Sequence, residues 1–88
     1  MSSNMTARMY FEQGRHHFAR REFDNAADHF QQAVNADPMY HDAHRYLAET
    51  FERLGYRHRA RKAWEGLQRI TQDSEQQTEI AKRLENLA

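Results

Sequence analysis

Residues 25–38 read Asn25-Ala26-Ala27-Asp28-His29-Phe30-Gln31-Gln32-Ala33-Val34-Asn35-Ala36-Asp37-Pro38. Ala26, Ala27, Phe30, Ala33 and Val34 recur at the spacing that lines one face of an α-helix, with polar residues between them. Phe23 extends the stripe backwards, and Asp24 is the residue type that caps a helix start. Pro38 ends the run, because its ring disfavours helical backbone in the residue before it. The stretch therefore predicts an amphipathic helix from about Asp24 to Asp37.

The same pattern continues on either side. The chain has 88 residues with three Gly, one Pro, one Val and two Ile, so helix breakers and strand formers are both scarce. A first helix is predicted over Met5–Ala19, with Met9, Tyr10, Gly14, His17 and Phe18 at helical spacing. A third runs from about Met39 to Leu54 with Ala43, Leu47, Ala48 and Phe51 inward, and Gly55 suits its C-cap. A fourth covers roughly Arg57–Thr71 with Ala60, Ala63, Trp64, Leu67 and Ile70 inward. A fifth opens at Ser74, with Gln77 three residues on as in a capping box, and turns Ile80, Ala81, Leu84 and Leu87 to one side.

The helices repeat. A shift of 34 residues lays Gly14 on Ala48, His17 on Phe51, Ala26 on Ala60, Phe30 on Trp64 and Ala33 on Leu67. A pair of short helices cannot bury its apolar face alone, so copies of it must stack. Tyr10, Gly14, Phe23, Ala26, Phe30, Ala33 and Pro38, then Leu47, Ala48, Phe51, Leu54, Gly55, Ala60 and Trp64, give a chain that resembles the tetratricopeptide-repeat (TPR) family over about residues 7–72. Gln13, His17 and Gln72 depart from that pattern, and Arg21 stands where the second copy has Gly55, so the first helix is expected to pack less tightly than the third. The resemblance implies a single all-α domain, a right-handed superhelix of two antiparallel helix pairs (about 7–40 and 41–73) closed by a capping helix (about 74–88).

Charge and composition narrow the function classes. Thirteen basic and 13 acidic residues cancel, which argues against a dedicated nucleic-acid binder. No cysteine is present, so disulfides and thiolate metal sites are excluded. Nothing approaches the ~20 apolar residues of a membrane span, and no signal-peptide stretch is visible, so a cytoplasmic protein without membrane contact is expected. Six histidines raise a metal site. Only His41 and His44 share a helix face, however, and no His-Glu-x-x-His arrangement occurs, so no metal or other cofactor is expected. His17 and His44 are read as helix contacts, His29 and His58 as solvated. Glu49 and Glu52 are a common pair for a solvated face, and no phosphate loop or nucleophile motif is found, so the chain does not read as an enzyme.

What remains is interaction. In the TPR family the first helix of each pair lines a concave groove that takes peptides. Carried over, the groove comprises Arg8, Phe11, Glu12 and Arg15, then Asp42, Arg45, Tyr46 and Glu49, then Glu79 and Arg83 from the cap, with Gln76 and Ile80 beside them. Phe11 and Tyr46 either face that groove or pack on neighbouring helices. The lysine and asparagines with which one branch of the family holds C-terminal carboxylates are missing, which argues against such a tail receptor. The expected role is a small scaffold or adaptor binding a protein or peptide ligand. Two alternatives stand beside it. The basic run Arg57-His58-Arg59-Ala60-Arg61-Lys62 offers a patch for nucleic acid or an acidic partner. The chain could also be a self-assembling fragment of a larger array, with weak homodimerisation through the Met5, Met9 and Phe18 edge.

Overall fold

A computed structural model describes residues 2–87. They form five α-helices in a slab of 30 × 28 × 17 Å: α1 (Met5–Ala19), α2 (Phe23–Ala36), α3 (His41–Leu54), α4 (Arg57–Ile70) and α5 (Ser74–Asn86). No strand occurs among the described residues. Each helix packs on its chain neighbour, most extensively α1 on α2 and least α4 on α5. The first helix is thus not the loosely packed one that its departures from the repeat suggested. Gly14 explains why: a Cβ there would lie 2.6 Å from the Phe30 ring, so its absence lets α1 and α2 close on that ring. Gln13 is exposed where Leu47 is buried, since no earlier helix pair stands in front of α1.

The core is small-on-large. Ala26, Ala33, Ala43, Ala48 and Ala60 are fully enclosed, and Phe30, Trp64, Leu67 and Ile80 fill the space beside them. The indole N–H of Trp64 donates to Glu52, so the one buried indole is satisfied.

Several helix ends differ from the sequence expectation. Asn4 caps α1, its Oδ1 accepting from the Ala7 N–H at 2.9 Å, while its amide donates to the Ala36 carbonyl at 3.1 Å and ties α1 to the end of α2. Helix α2 starts one residue before Asp24, behind a Glu22 that makes no side-chain cap. Helix α3 starts at His41 rather than Met39, because Pro38 and Met39 belong to a turn closed by the Tyr40 N–H on the Asp37 carbonyl at 3.1 Å. Asp73, not Ser74, caps α5: its Oδ1 accepts from Glu75 and Gln76 N–H groups, and Gln77 instead donates to the Thr71 carbonyl. Gly55 ends α3 at φ 79°, as read, and Arg21, 34 residues earlier, adopts φ 62° in the same left-handed region.

Candidate functional site

Helices α1, α3 and α5 lie side by side, joined by Phe11 against Tyr46 (ring centroids 5.3 Å apart) and by Arg45 against Glu79. The residues expected to line a groove therefore share one face, but they do not behave alike.

Phe11 is a correction. It is only 5% exposed, and its ring meets Phe30, Tyr40 and Tyr46 at 5.7, 5.0 and 5.3 Å. It is a core residue of the α1–α2–α3 junction, with Arg15 stacked 5.9 Å above it. Tyr46 is half-buried in the same cluster and also touches Phe18 and Phe30. Of the two readings open for these aromatics, packing on neighbouring helices describes Phe11.

The α3–α5 part of the strip is electrostatically closed. Arg45 donates through both terminal nitrogens to the Glu79 carboxylate, at 3.2 and 3.4 Å. Arg83 stands 3.8, 3.7 and 3.9 Å from Glu49, Glu52 and Glu79. Both guanidinium groups lie over the Trp64 ring, at 5.5 and 5.0 Å from its centroid. Two cations and three carboxylates thus form one network roofing the indole, a use of cation–π contact and forked donors that holds α5 down.

The α1–α3 part is open. Arg8, Glu12, Arg15 and Asp42 are exposed, and their charges converge on Tyr40 at the start of α3. Burial, and then the Asp42 and Glu12 carboxylates, push the Tyr40 hydroxyl above its usual range, while Arg8 and Arg15 oppose them. Glu12 and Arg15 pair at 3.2 Å, whereas Arg8 and Asp42 belong to no ion pair among the described residues. At the other end of the face, Asp42 and Arg45 line a smaller cavity of about 250 Å³ with Asp73 and Gln76.

The histidines divide differently from the reading. His44 is buried, its Nε2–H donating to the Pro38 carbonyl at 2.7 Å, and desolvation pulls it below the usual imidazole range. His17 is only half-buried, bonded to Glu22 at 2.8 Å and stacked 4.9 Å from the ring of His29, so His29 is a contact rather than a free side chain. The bond from His17, with Arg20 nearby, holds the Glu22 carboxyl below its usual range. Among the described residues no cluster of three metal-ligating side chains forms, and no helix is long and apolar enough to cross a membrane.

The opposite face carries a feature that sequence reasoning missed. Helices α2 and α4 each pack on α3 and leave between them a groove of about 560 Å³. Its floor is Leu47, Phe51 and Leu54, with His44 at one end. The predicted basic run forms part of its α4 side. Arg59 and Lys62 are exposed there, and Arg59 stacks 5.3 Å from the ring of the exposed Tyr56. Arg57 and Arg61 are engaged elsewhere, with the Asn86 carbonyl and Glu65. The signal for the groove was present, as inward residues of α3 and unpaired charges of α2 and α4, but it spans three helices and has no local periodicity. Neither the protein-family models nor the curated proteins compared with this chain give a match.

Proposed function

We propose that the chain is a TPR-like protein–protein interaction module, two helix pairs of a right-handed superhelix closed by α5, that takes a peptide segment across its α1–α3–α5 face. The repeat reading is supported by pairs 34 residues apart in equivalent settings: Arg45 beside Glu79, and Arg21 and Gly55 both left-handed after the first helix of a pair. The binding role rests on one observation, the convergence of two arginines and two carboxylates from α1 and α3 around Tyr40 on an exposed face. A peptide of mixed charge suits it. Arg8 and Arg15 present forked donors to carboxylates, and Asp42 accepts from a cation. The surface is small, so a Kd on the order of micromolar is expected.

The test is selection of ligands from a random-peptide display library. Peptides bound by the native chain should weaken about tenfold on Arg8→Ala with Arg15→Ala, as charge-assisted bonds of this kind predict, and not on Arg61→Ala with Lys82→Ala. Retention by the first pair and loss by the second moves the site to the α4–α5 side. A second reading, an acidic or nucleic-acid partner on the basic run, is favoured by the exposed Tyr56 beside Arg59, which offers a stacking face next to positive charge. Such a complex weakens steeply with salt, whereas the peptide complex does so only modestly.

A further inference from the structure

We infer that the groove between α2 and α4 is a second docking surface, built for an amphipathic helix of another protein that carries a basic flank on one side of its apolar ridge and an acidic flank on the other. The argument starts from the walls. The α2 wall presents Asp24 and Asp28, and the α4 wall presents Arg59, Lys62 and Arg69; all five are exposed. None of them takes part in an ion pair among the described residues, while the charges of the α3–α5 strip are paired with each other. One wall is negative, the other positive, and neither is neutralised within the chain.

The floor says what kind of backbone fits between them. Leu47, Phe51 and Leu54 are apolar, and the one polar side chain among the floor residues, His44, spends its Nε2–H on the Pro38 carbonyl. An extended peptide laid there would find no partners for its N–H and C=O groups, each costly to leave unpaired. A helix satisfies its own backbone and offers a ridge of side chains to an apolar trough. Its two flanks then meet walls of opposite sign, which sets its direction along the groove.

A second copy of this chain fits less well. A two-fold axis along the groove would bring acidic wall to basic wall, but it would face two troughs together and leave their apolar floors uncovered. The surface lies on the side away from Arg8 and Arg15, so it stands or falls independently of the peptide site proposed above.

The experiment uses three synthetic helical peptides with the same leucine ridge and with Lys/Glu, Lys/Lys or Glu/Glu flanks, measured by fluorescence anisotropy on the whole chain. The Lys/Glu peptide is expected to bind about tenfold more tightly than either uniform one, the scale that two or three semi-exposed ion pairs supply. Asp24→Lys with Asp28→Lys should shift the preference to the Glu/Glu peptide. Adding Arg59→Glu and Lys62→Glu should restore it to Lys/Glu, and the restoration guards against misfolding as the cause. Arg8→Ala with Arg15→Ala should leave all three affinities unchanged. Equal binding of the three peptides, binding of none, a chain dimer broken by the Asp24→Lys and Asp28→Lys pair, or tighter binding of a single-stranded oligonucleotide would each overturn the inference.

Discussion

Arg45 and Glu79 stand 34 residues apart in sequence and are joined by two hydrogen bonds, 3.2 and 3.4 Å long, across α3 and α5. The position 34 residues before Arg45 is Phe11, which lies buried in the neighbouring aromatic cluster. One register position thus serves as a core wedge in α1 and as a clamp between α3 and α5.

The clamp predicts a measurable coupling. Its side chains are 25% and 46% exposed, so solvent screens the pair, and a double-mutant cycle on Arg45→Ala and Glu79→Ala should give about 0.5–1 kcal/mol. Urea unfolding of the four proteins checks this. The coupling should shrink with added salt.

Arg21 holds a left-handed backbone, φ 62°, that glycine adopts freely and a side chain does not. Arg21→Gly should therefore raise stability by about 1 kcal/mol, the relieved strain being partly offset by the greater freedom of glycine in the unfolded chain. Gly55→Ala, with φ 79°, should lower it by a similar amount. Thermal midpoints should move by several degrees in opposite directions, roughly 4–8 °C per kcal/mol for a domain of this size.

Trp64 is completely buried, bonded to Glu52, and roofed by Arg45 and Arg83. Trp64→Ala leaves a cavity beneath the network and should cost about 3–5 kcal/mol, much of what a small domain has. Loss of the cooperative transition by circular dichroism is the expected result; an unchanged midpoint would contradict the packing of α4 between α3 and α5.

His44 predicts a pH dependence of definite sign. Burial holds its folded pKa below the unfolded value of about 6.5, helped by His41 and Arg69 and opposed by the Pro38 bond and Asp37. Its Nδ1 faces Gly66, where a Cβ would lie 3.1 Å away. The unfolded chain then binds more protons, so the His44 contribution is complete above about pH 6.5 and is lost as pH falls below it, down to the folded pKa. Comparing thermal midpoints at about pH 7.5 and about pH 5.5, His44→Phe should show a smaller acid-induced drop than the native chain.

The helices were legible because their signal is local. Stripes at 3.6-residue spacing and the breakers Pro38 and Gly55 delimit four of the five helices to within about two residues. Caps were harder. Asp73 and Ser74 are adjacent cap residues, and only the turn after Thr71 decides which of them receives the helix N–H groups. The face assignment of Phe11 failed for another reason. Repeat register places it with Arg45 and Glu79, but its neighbours are Tyr40, Tyr46 and Phe30, and that company arises only when three helices meet. The same holds for the strip as a whole: the sequence displays Arg45, Glu49, Glu79 and Arg83 as available charges, while their pairing depends on how close α5 comes to α3.

Every extensive helix contact in the fold joins elements that follow one another in the chain, and the last of these, α4 on α5, is the slightest. Short loops close cheaply and early, so the chain should fold fast for its size, with no long-range pairing to wait for. Stability should also be graded along it. Amides of α5 should exchange with solvent through a local detachment far cheaper than global unfolding, while those around Phe30 and Gly14 exchange only when the whole chain opens.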